Sequence, residues 1–363
     1  FNIFYQNVRG LRNKTSECFA NTAIADRDVI VLTETWLDDS FPSELLFDNN
    51  RFNTLRTDRS AANSNKCRGG GVLVAINANY ASSLCSTNTS TIECLWVRVK
   101  VLNVSLIIGS FYLPPDQSAN MDTINAFCNS LHLTREKYKN DFFILFGHFN
   151  QSNLKWDING KFPTLNLMLT RLSPTSQALL DELSFEGLRQ LNTVLNHNNN
   201  MLDLVFANDK VTDYMRPIEL CIESIVEPDG HHPVLLTYFT LPQYSVPSSQ
   251  PPRQADLNFR RTNFTDLVSA LNQINWDSIV DYDDINASVA EFSSQMNELY
   301  EQFIPRFNVR AHPAWTNSAL RLAKRRRSRA LKKLHRLKNS TNQINFARAS
   351  KIYKQLNRTA YAN

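Results

Sequence analysis

The run Ile144-Leu145-Phe146-Gly147-His148-Phe149-Asn150 decides how the rest of the chain is read. Phe142 to Phe146 is an apolar run of the length of a strand buried on both faces, and Gly147 is expected to break it so that the following side chains project from the sheet edge. Taken alone, an Asn two residues past a glycine is a turn residue. Five further stretches repeat the form, an apolar strand ending in a group able to bind metal, phosphate or a proton. They are Phe4-Tyr5-Gln6-Asn7, Val29-Ile30-Val31-Leu32-Thr33-Glu34, Ser110-Phe111-Tyr112-Leu113-Pro114-Pro115, Leu202-Asp203-Leu204-Val205-Phe206 and Asp229-Gly230-His231-His232-Pro233.

At 363 residues the chain can bury a sizeable core, and length alone allows two or three domains or one large α/β sandwich with an appendage. There is no apolar run near 18 residues and no signal-peptide pattern, so a soluble intracellular protein without a membrane partner is expected. The chain opens at Phe1, already in a strand pattern, and is read as a piece of a longer polypeptide. The six cysteines are scattered, with no C-x-x-C pair and no His at zinc spacing, and read as reduced core residues. Charge is uneven. Residues 253 to 363 hold 19 of the 39 Lys+Arg and 9 of the 34 Asp+Glu, leaving 20 against 25 in residues 1 to 252. A mildly acidic body with a basic tail points to a polyanion near the tail.

In chain order, strands are expected at Phe1 to Val8, Asp28 to Thr33, Phe52 to Thr57, Val72 to Ile76, Ile92 to Val101, Val104 to Phe111, Leu188 to Leu195, Leu202 to Phe206 and Val234 to Leu241, with Leu102-Asn103 as a hairpin turn. Helices are expected at Lys14 to Ala25, Ser118 to Tyr138 and Thr175 to Leu183. Arg59 to Arg68 reads as a polar, mobile loop and Asn196 to Asn200 as an Asn-rich one. Asp203 inside an apolar strand is costly to bury without a donor, and a histidine opposite it is the economical partner.

Residues 242 to 254 have a Pro/Ser linker composition. Beyond it, helical patterns cover Phe264 to Trp276, Ile285 to Phe303 and Leu320 to Leu337. The last carries Lys324, Arg325, Arg326 and Arg327 among many basic residues and no acid, over Leu320, Ala323, Leu331, Leu334 and Leu337 at helical spacing. A basic helix is commonly a solvated face; here the unrelieved positive charge favours a nucleic-acid contact. Tyr282-Asp283-Asp284 is an acidic helix N-terminus and not a polymerase signature.

Together the six stretches, in this order and with the glycine turn Arg68-Gly69-Gly70-Gly71-Val72, resemble the endonuclease/exonuclease/phosphatase superfamily. The likeness is to the apurinic-endonuclease-like domain of the second reading frame of non-LTR (LINE-type) retrotransposons, over about Phe1 to Leu241. The resemblance implies an α/β fold, a four-layer sandwich of two mostly antiparallel β-sheets flanked by helices, here followed by a helical basic extension. It implies domains at 1–241, a linker at 242–254, and a connector at 255–363 that leads to a reverse transcriptase. It also implies an Mg²⁺-dependent endodeoxyribonuclease, with Mn²⁺ as an alternative ion, acting on double-stranded target DNA in the nucleus and handling element RNA or DNA through the basic tail. Carried over residue by residue, Glu34 holds the ion with Asn7 close by and Asp229 as an auxiliary acid. Tyr112 and Asn150 donate to the phosphate, and His232, with His231 as the other choice, acts as acid/base oriented by Asp203. Arg9, Arg68 and Asn198 fall in the turns and loops on the DNA-facing side.

The departure is His148. The family word is Gly-Asp-Phe-Asn, whose Asp orients or deprotonates the attacking water; an imidazole brings no negative charge and favours softer metals than Mg²⁺. Three readings follow: an endonuclease that nicks target DNA to expose a 3′ hydroxyl for target-primed reverse transcription, a DNA-binding scaffold disabled at His148, and a superfamily phosphoesterase acting on small phosphorylated substrates.

Overall fold

The computed structural model describes all residues except 65, 67, 90, 116–119, 161, 171, 241–261, 281–283, 306–312, 314 and 363. In chain order it has β1 (Asn2–Asn7), α1 (Thr15–Ile24), β2 (Val29–Thr33), a 3₁₀ turn (Ser43–Leu45), β3 (Phe52–Thr57), β4 (Val72–Asn77), β5 (Ala81–Leu84), β6 (Cys94–Val101), β7 (Val104–Tyr112) and α2 (Met121–Lys137). There follow β8 (Phe142–His148), the short pair β9 (Trp156–Asp157) and β10 (Thr164–Leu165), α3 (Pro174–Phe185), β11 (Leu188–Gln190), β12 (Asp203–Asn208), α4 (Asp209–Thr212), β13 (Glu219–Leu220) and β14 (Leu235–Tyr238). The chain ends in α5 (Phe264–Leu271), α6 (Asp277–Val280), α7 (Ile285–Phe303), α8 (Ser318–Arg336) and α9 (Ser340–Ala362).

Two six-stranded sheets, in the orders β13-β14-β1-β2-β4-β3 and β11-β12-β8-β7-β6-β5, lie face to face. Each is antiparallel except for one parallel step near its middle, β1 beside β2 and β7 beside β8. Strand alternation builds the layers, because successive side chains face opposite sides. Ile3, Tyr5, Val29, Val31, Val72 and Val74 meet Val97, Ile108, Ile144 and Phe146 between the sheets. Phe143, Leu145 and Phe111 face outward onto Phe127 and Leu131 of α2 and Leu179 of α3. Phe4, Ile30 and Leu32 face outward onto Cys18 of α1. The expected four-layer α/β sandwich is therefore what the chain forms.

One local expectation is corrected. Gly147 does not break β8, which runs on to His148 with Gly147 paired to Phe111 and Leu204. Its lack of a side chain is instead a packing requirement, since a Cβ there would lie 2.7 Å from the Phe111 carbonyl oxygen and 2.8 Å from the Phe149 ring.

The chain divides into two compact units, Phe1–Tyr244 with Trp315–Asn363, and Ser245–Ala314. The stretch from 255 onward, expected as one appendage, is thus split, and its last two helices pack on the sandwich. Arg327 of α8 forms an ion pair with Glu223, to which Ser350 of α9 donates at 3.1 Å. Lys354 donates to the Ser224 carbonyl at 2.7 Å and Asn357 to the Ala20 carbonyl of α1 at 2.7 Å. Of the expected apolar stripe, Leu320, Ala323 and Leu334 are buried, whereas Leu337, just past the helix end, is exposed. In the other unit α5 and α6 pack against α7, with Trp276 against Phe292, and Asp284 caps α7 by accepting from the Asn286 N–H. The 242–254 stretch, Tyr282 and Asp283 lie outside the described residues.

Candidate active site

The two parallel strand pairs end at the same rim. Asn7 pairs with Thr33 at the end of β1 and β2, and Tyr112 pairs with His148 at the end of β7 and β8. Glu34 follows β2 with φ +54° and Asn150 follows β8 with φ +53°, left-handed conformations that cost a non-glycine residue about 1–3 kcal/mol and persist only where surroundings impose them. At Glu34 the imposing partners are visible. Its carbonyl accepts from Gly10 at 2.7 Å, while the next two residues bond the glycine turn, Thr35 N–H to Gly71 and Trp36 N–H to Gly70. Gly69, Gly70 and Gly71 all have positive φ, which explains the triple glycine of that turn.

Asp203, at the start of β12, is directly opposite His148 across the antiparallel pair and is 1% exposed. Its two oxygens have separate partners. Oδ1 accepts from the Tyr5 hydroxyl at 2.6 Å, and Oδ2 lies 3.0 Å from His232 Nδ1. The Asp229 side chain holds the turn that delivers this histidine, accepting from the His231 and His232 N–H groups at 2.8 and 3.1 Å and from Arg9 at 2.6 Å. Asp229 thus shapes the turn and is paired to the half-exposed Arg9, one remove from the buried histidine. His231 points elsewhere, its ring against His197. Asn196 of the Asn-rich loop donates to the His231 carbonyl at 3.1 Å, so that loop buttresses the same turn. Asn198 is exposed on it.

Glu34 is buried, with Asn7 Nδ2 donating to its Oε1 at 2.8 Å, while Asn7 Oδ1 accepts from the Arg9 N–H. Asn7 therefore positions the carboxylate. His148 lies with Nδ1 3.5 Å from Glu34 Oε1 and 3.3 Å from Asn150 Nδ2, and that amide also donates to the Leu113 carbonyl at 2.6 Å. The His148 ring stacks on Tyr112 at 5.8 Å and meets the His232 ring edge-on at 4.6 Å. His148 Nε2 is buried without a hydrogen-bond partner. One donor atom from each of Glu34, His148 and His232 lies within 4.8 Å of the other two, an arrangement able to hold a metal ion.

Burial dominates at His148 and lowers its pKa despite the Asp203 charge, so the ring is neutral at pH 7. Burial acts the same way on His232, but the hydrogen bond and charge of Asp203, with Asp229 and Glu34, more than reverse it and raise the pKa. Two imidazoles in contact are thus driven in opposite directions. Burial, with the Glu34 charge, pushes the Tyr112 phenol well up, so it remains a hydrogen-bond donor.

Eight of the expected residues, Asn7, Arg9, Glu34, His148, Asn150, Asp203, Asp229 and His232, are linked by these contacts, with Tyr112 stacked beside them. Arg68 is exposed in the loop before the glycine turn, and Lys324, Arg325 and Arg326 are exposed on α8, whereas Arg327 is engaged by Glu223. Sequence reasoning missed three supports. Tyr5 fixes Asp203; buried Asn192 donates to the Asp203 carbonyl at 2.7 Å; and Arg59 pairs with buried Glu93 at 2.7 Å beside the Tyr112 ring. Arg59 anchors the loop that was expected to be mobile.

The Mg²⁺ implied by the resemblance takes oxygen ligands, commonly one or two carboxylates with water and substrate phosphate. Asn7 and Asp229 are engaged elsewhere, so Glu34 alone remains as that carboxylate. It meets the lower limit of what Mg²⁺ accepts.

The fold is similar to that of the endonuclease domain of TRAS1, a telomere-specific non-LTR retrotransposon (12% identity, TM-score 0.48, covering 66% of this chain and 99% of that one). It is also similar to an AP endonuclease from Archaeoglobus fulgidus (13%, 0.46, 66% and 100%) and to the AP endonuclease LMAP from Leishmania major (12%, 0.49, 66% and 87%). No protein-family model and no curated protein matches the chain.

Proposed function

We propose that this chain is a metal-dependent DNA endonuclease domain of a non-LTR retrotransposon, which hydrolyses one phosphodiester of target DNA and leaves a 3′ hydroxyl for reverse transcription. The reading rests on one observation, the meeting of Glu34, His148 and the Asp203–His232 pair at the ends of both parallel strand pairs. Glu34 would hold Mg²⁺ or Mn²⁺, which supplies charge to the phosphoryl oxygens when bound. Because Asp203 occupies His232 Nδ1, Nε2 is the nitrogen left to hold a proton and move it to a phosphate or leaving oxygen. Tyr112, kept protonated, would donate to the phosphate, and Asn150 would do so with the amide N–H that the Leu113 carbonyl does not take.

His148 limits the rate. A neutral imidazole stands where the resembled family has a carboxylate, and loss of a positioned general base costs about 10²–10⁴ in rate. On this reading the domain would work in the nucleus together with a reverse transcriptase, with element RNA or DNA on the basic tail. A supercoiled-plasmid assay with Mg²⁺ and with Mn²⁺ tests the reading. Relaxed circles that vanish in Glu34→Ala and His232→Ala support it, and intact plasmid with retained DNA binding makes the chain a scaffold instead.

A further inference from the structure

A carboxylate with two imidazoles is a different kind of site from the oxygen-only set that Mg²⁺ prefers. Imidazole ligands suit zinc-class ions, and two histidines with one glutamate, leaving one position open, form a recurrent zinc donor set. We propose that Glu34, His148 and His232 form a site for a single Zn²⁺-class cation, and that its occupancy holds the enzyme in an off state by taking up His232. The inference rests on the nuclease reading only for that last consequence.

Four observations carry it. Donors of a tetrahedral ion at about 2.1 Å stand about 3.4 Å apart, and His148 Nδ1 is 3.5 Å from Glu34 Oε1. The third donor, from His232, lies within 4.8 Å of both, so a modest closure of the side chains completes the set. His148 is 3% exposed, and the Nδ1 that faces Glu34 has as its other polar neighbour among the described residues only the Asn150 amide, at 3.3 Å, so a buried lone pair is held toward the carboxylate. Finally, the other nitrogen of His232 is already bound to a carboxylate that is itself fixed by Tyr5, the outer shell that metal-ligating histidines characteristically have. The remaining His/carboxylate group among the described residues, His132 with Glu182 and Glu186, lacks these features. It is exposed at His132, and Glu186 already pairs with His132 and Arg135.

A ligated His232 cannot also carry the proton that the hydrolysis needs, so Zn²⁺ and the nuclease reaction exclude one another at this centre. The test is titration of the whole chain with Zn²⁺ alone against a chromophoric chelator, with melting curves and the absorption spectrum of the Co²⁺ form. One Zn²⁺ per chain is expected, bound about 100-fold or more tighter than Mg²⁺. His148→Ala should lower the Zn²⁺ affinity about 100-fold with little change for Mg²⁺, and Asp203→Asn should lower it about 10- to 100-fold. Melting curves without metal show whether each variant is folded. Unchanged Zn²⁺ affinity in folded His148→Ala, a stoichiometry other than one, or a thiolate charge-transfer band in the Co²⁺ spectrum overturns the site. In the nicking assay, Zn²⁺ at site-filling concentration should suppress Mg²⁺-supported cleavage by the wild type and spare whatever cleavage His148→Ala retains. Zn²⁺ bound without suppression removes the off state and keeps the site. A chain that never nicks refutes the nuclease reading, and the binding arms then decide the ion site alone.

Discussion

The rim around Asp203 and the helix pair α8–α9 both carry charge, and they hold it in opposite ways. At the rim, Glu34, Asp203 and His232 are buried, each bonded to a named partner, and the backbone at Glu34 is held in a left-handed conformation. On α8, Lys324, Arg325 and Arg326 stand in solvent, whereas Arg327 is tied down by Glu223. The difference separates chemistry from affinity. Buried, oriented charges act on one atom of a substrate, whereas a solvated row acts on a polyanion as a whole and is screened by salt.

Breaking the rim should therefore be costly in rate. Glu34→Ala and His232→Ala are expected to lower nicking about 10²–10⁴-fold each with little change in DNA affinity, measured by plasmid relaxation and filter binding. Nicking that persists in either variant would remove the rim from the chemistry. His148→Asp sharpens the same contrast in the other direction, raising Mg²⁺-supported nicking about 10²-fold or more. Equal rates before and after that change would refute the role given to position 148.

The third prediction concerns pH. The Asp203 hydrogen bond and charge raise the His232 pKa above the ordinary imidazole value, so activity that depends on its proton should fall as pH rises through that raised value. Removing the carboxylate charge in Asp203→Asn should move that fall to lower pH, read from kcat against pH. A profile that does not move would leave Asp203 with a merely structural role.

For the tail, Lys324, Arg325 and Arg326 changed together to Ala should weaken DNA binding and lower the salt slope of log affinity by about 0.9 for each phosphate no longer neutralised, with kcat unchanged. A slope identical to wild type would make α8 a solvated face. The smallest effect expected is Arg327→Ala. Glu223 keeps Arg27 at 3.5 Å as a second cation, so about 1 kcal/mol of stability should be lost, a few degrees in Tm by calorimetry.

Strand-end chemistry was legible in the sequence at Glu34 and Tyr112, which close apolar runs, a local signal; Asp203 stood out as an acid inside an apolar run, and His232 was reached through the family resemblance. What supports them was not legible, because the supports are long-range. Tyr5 reads as one more core aromatic until β1 and β12 are brought together across the sandwich. Arg59 sits in a polar loop whose anchoring acid, Glu93, is 34 residues away. Arg327 cannot be told from its basic neighbours until α8 docks against Glu223. Gly147 was misread because a glycine required by close packing and one that ends a strand look alike in one dimension.

The direct pairing of Asp203 with His148 also gives the centre a parity. Inserting or deleting one residue within β12 would turn the carboxylate toward the opposite layer, away from both imidazoles, however conservative the added residue. Point substitutions can weaken such a centre by degrees. A change of odd length in β8 or β12 abolishes it at once.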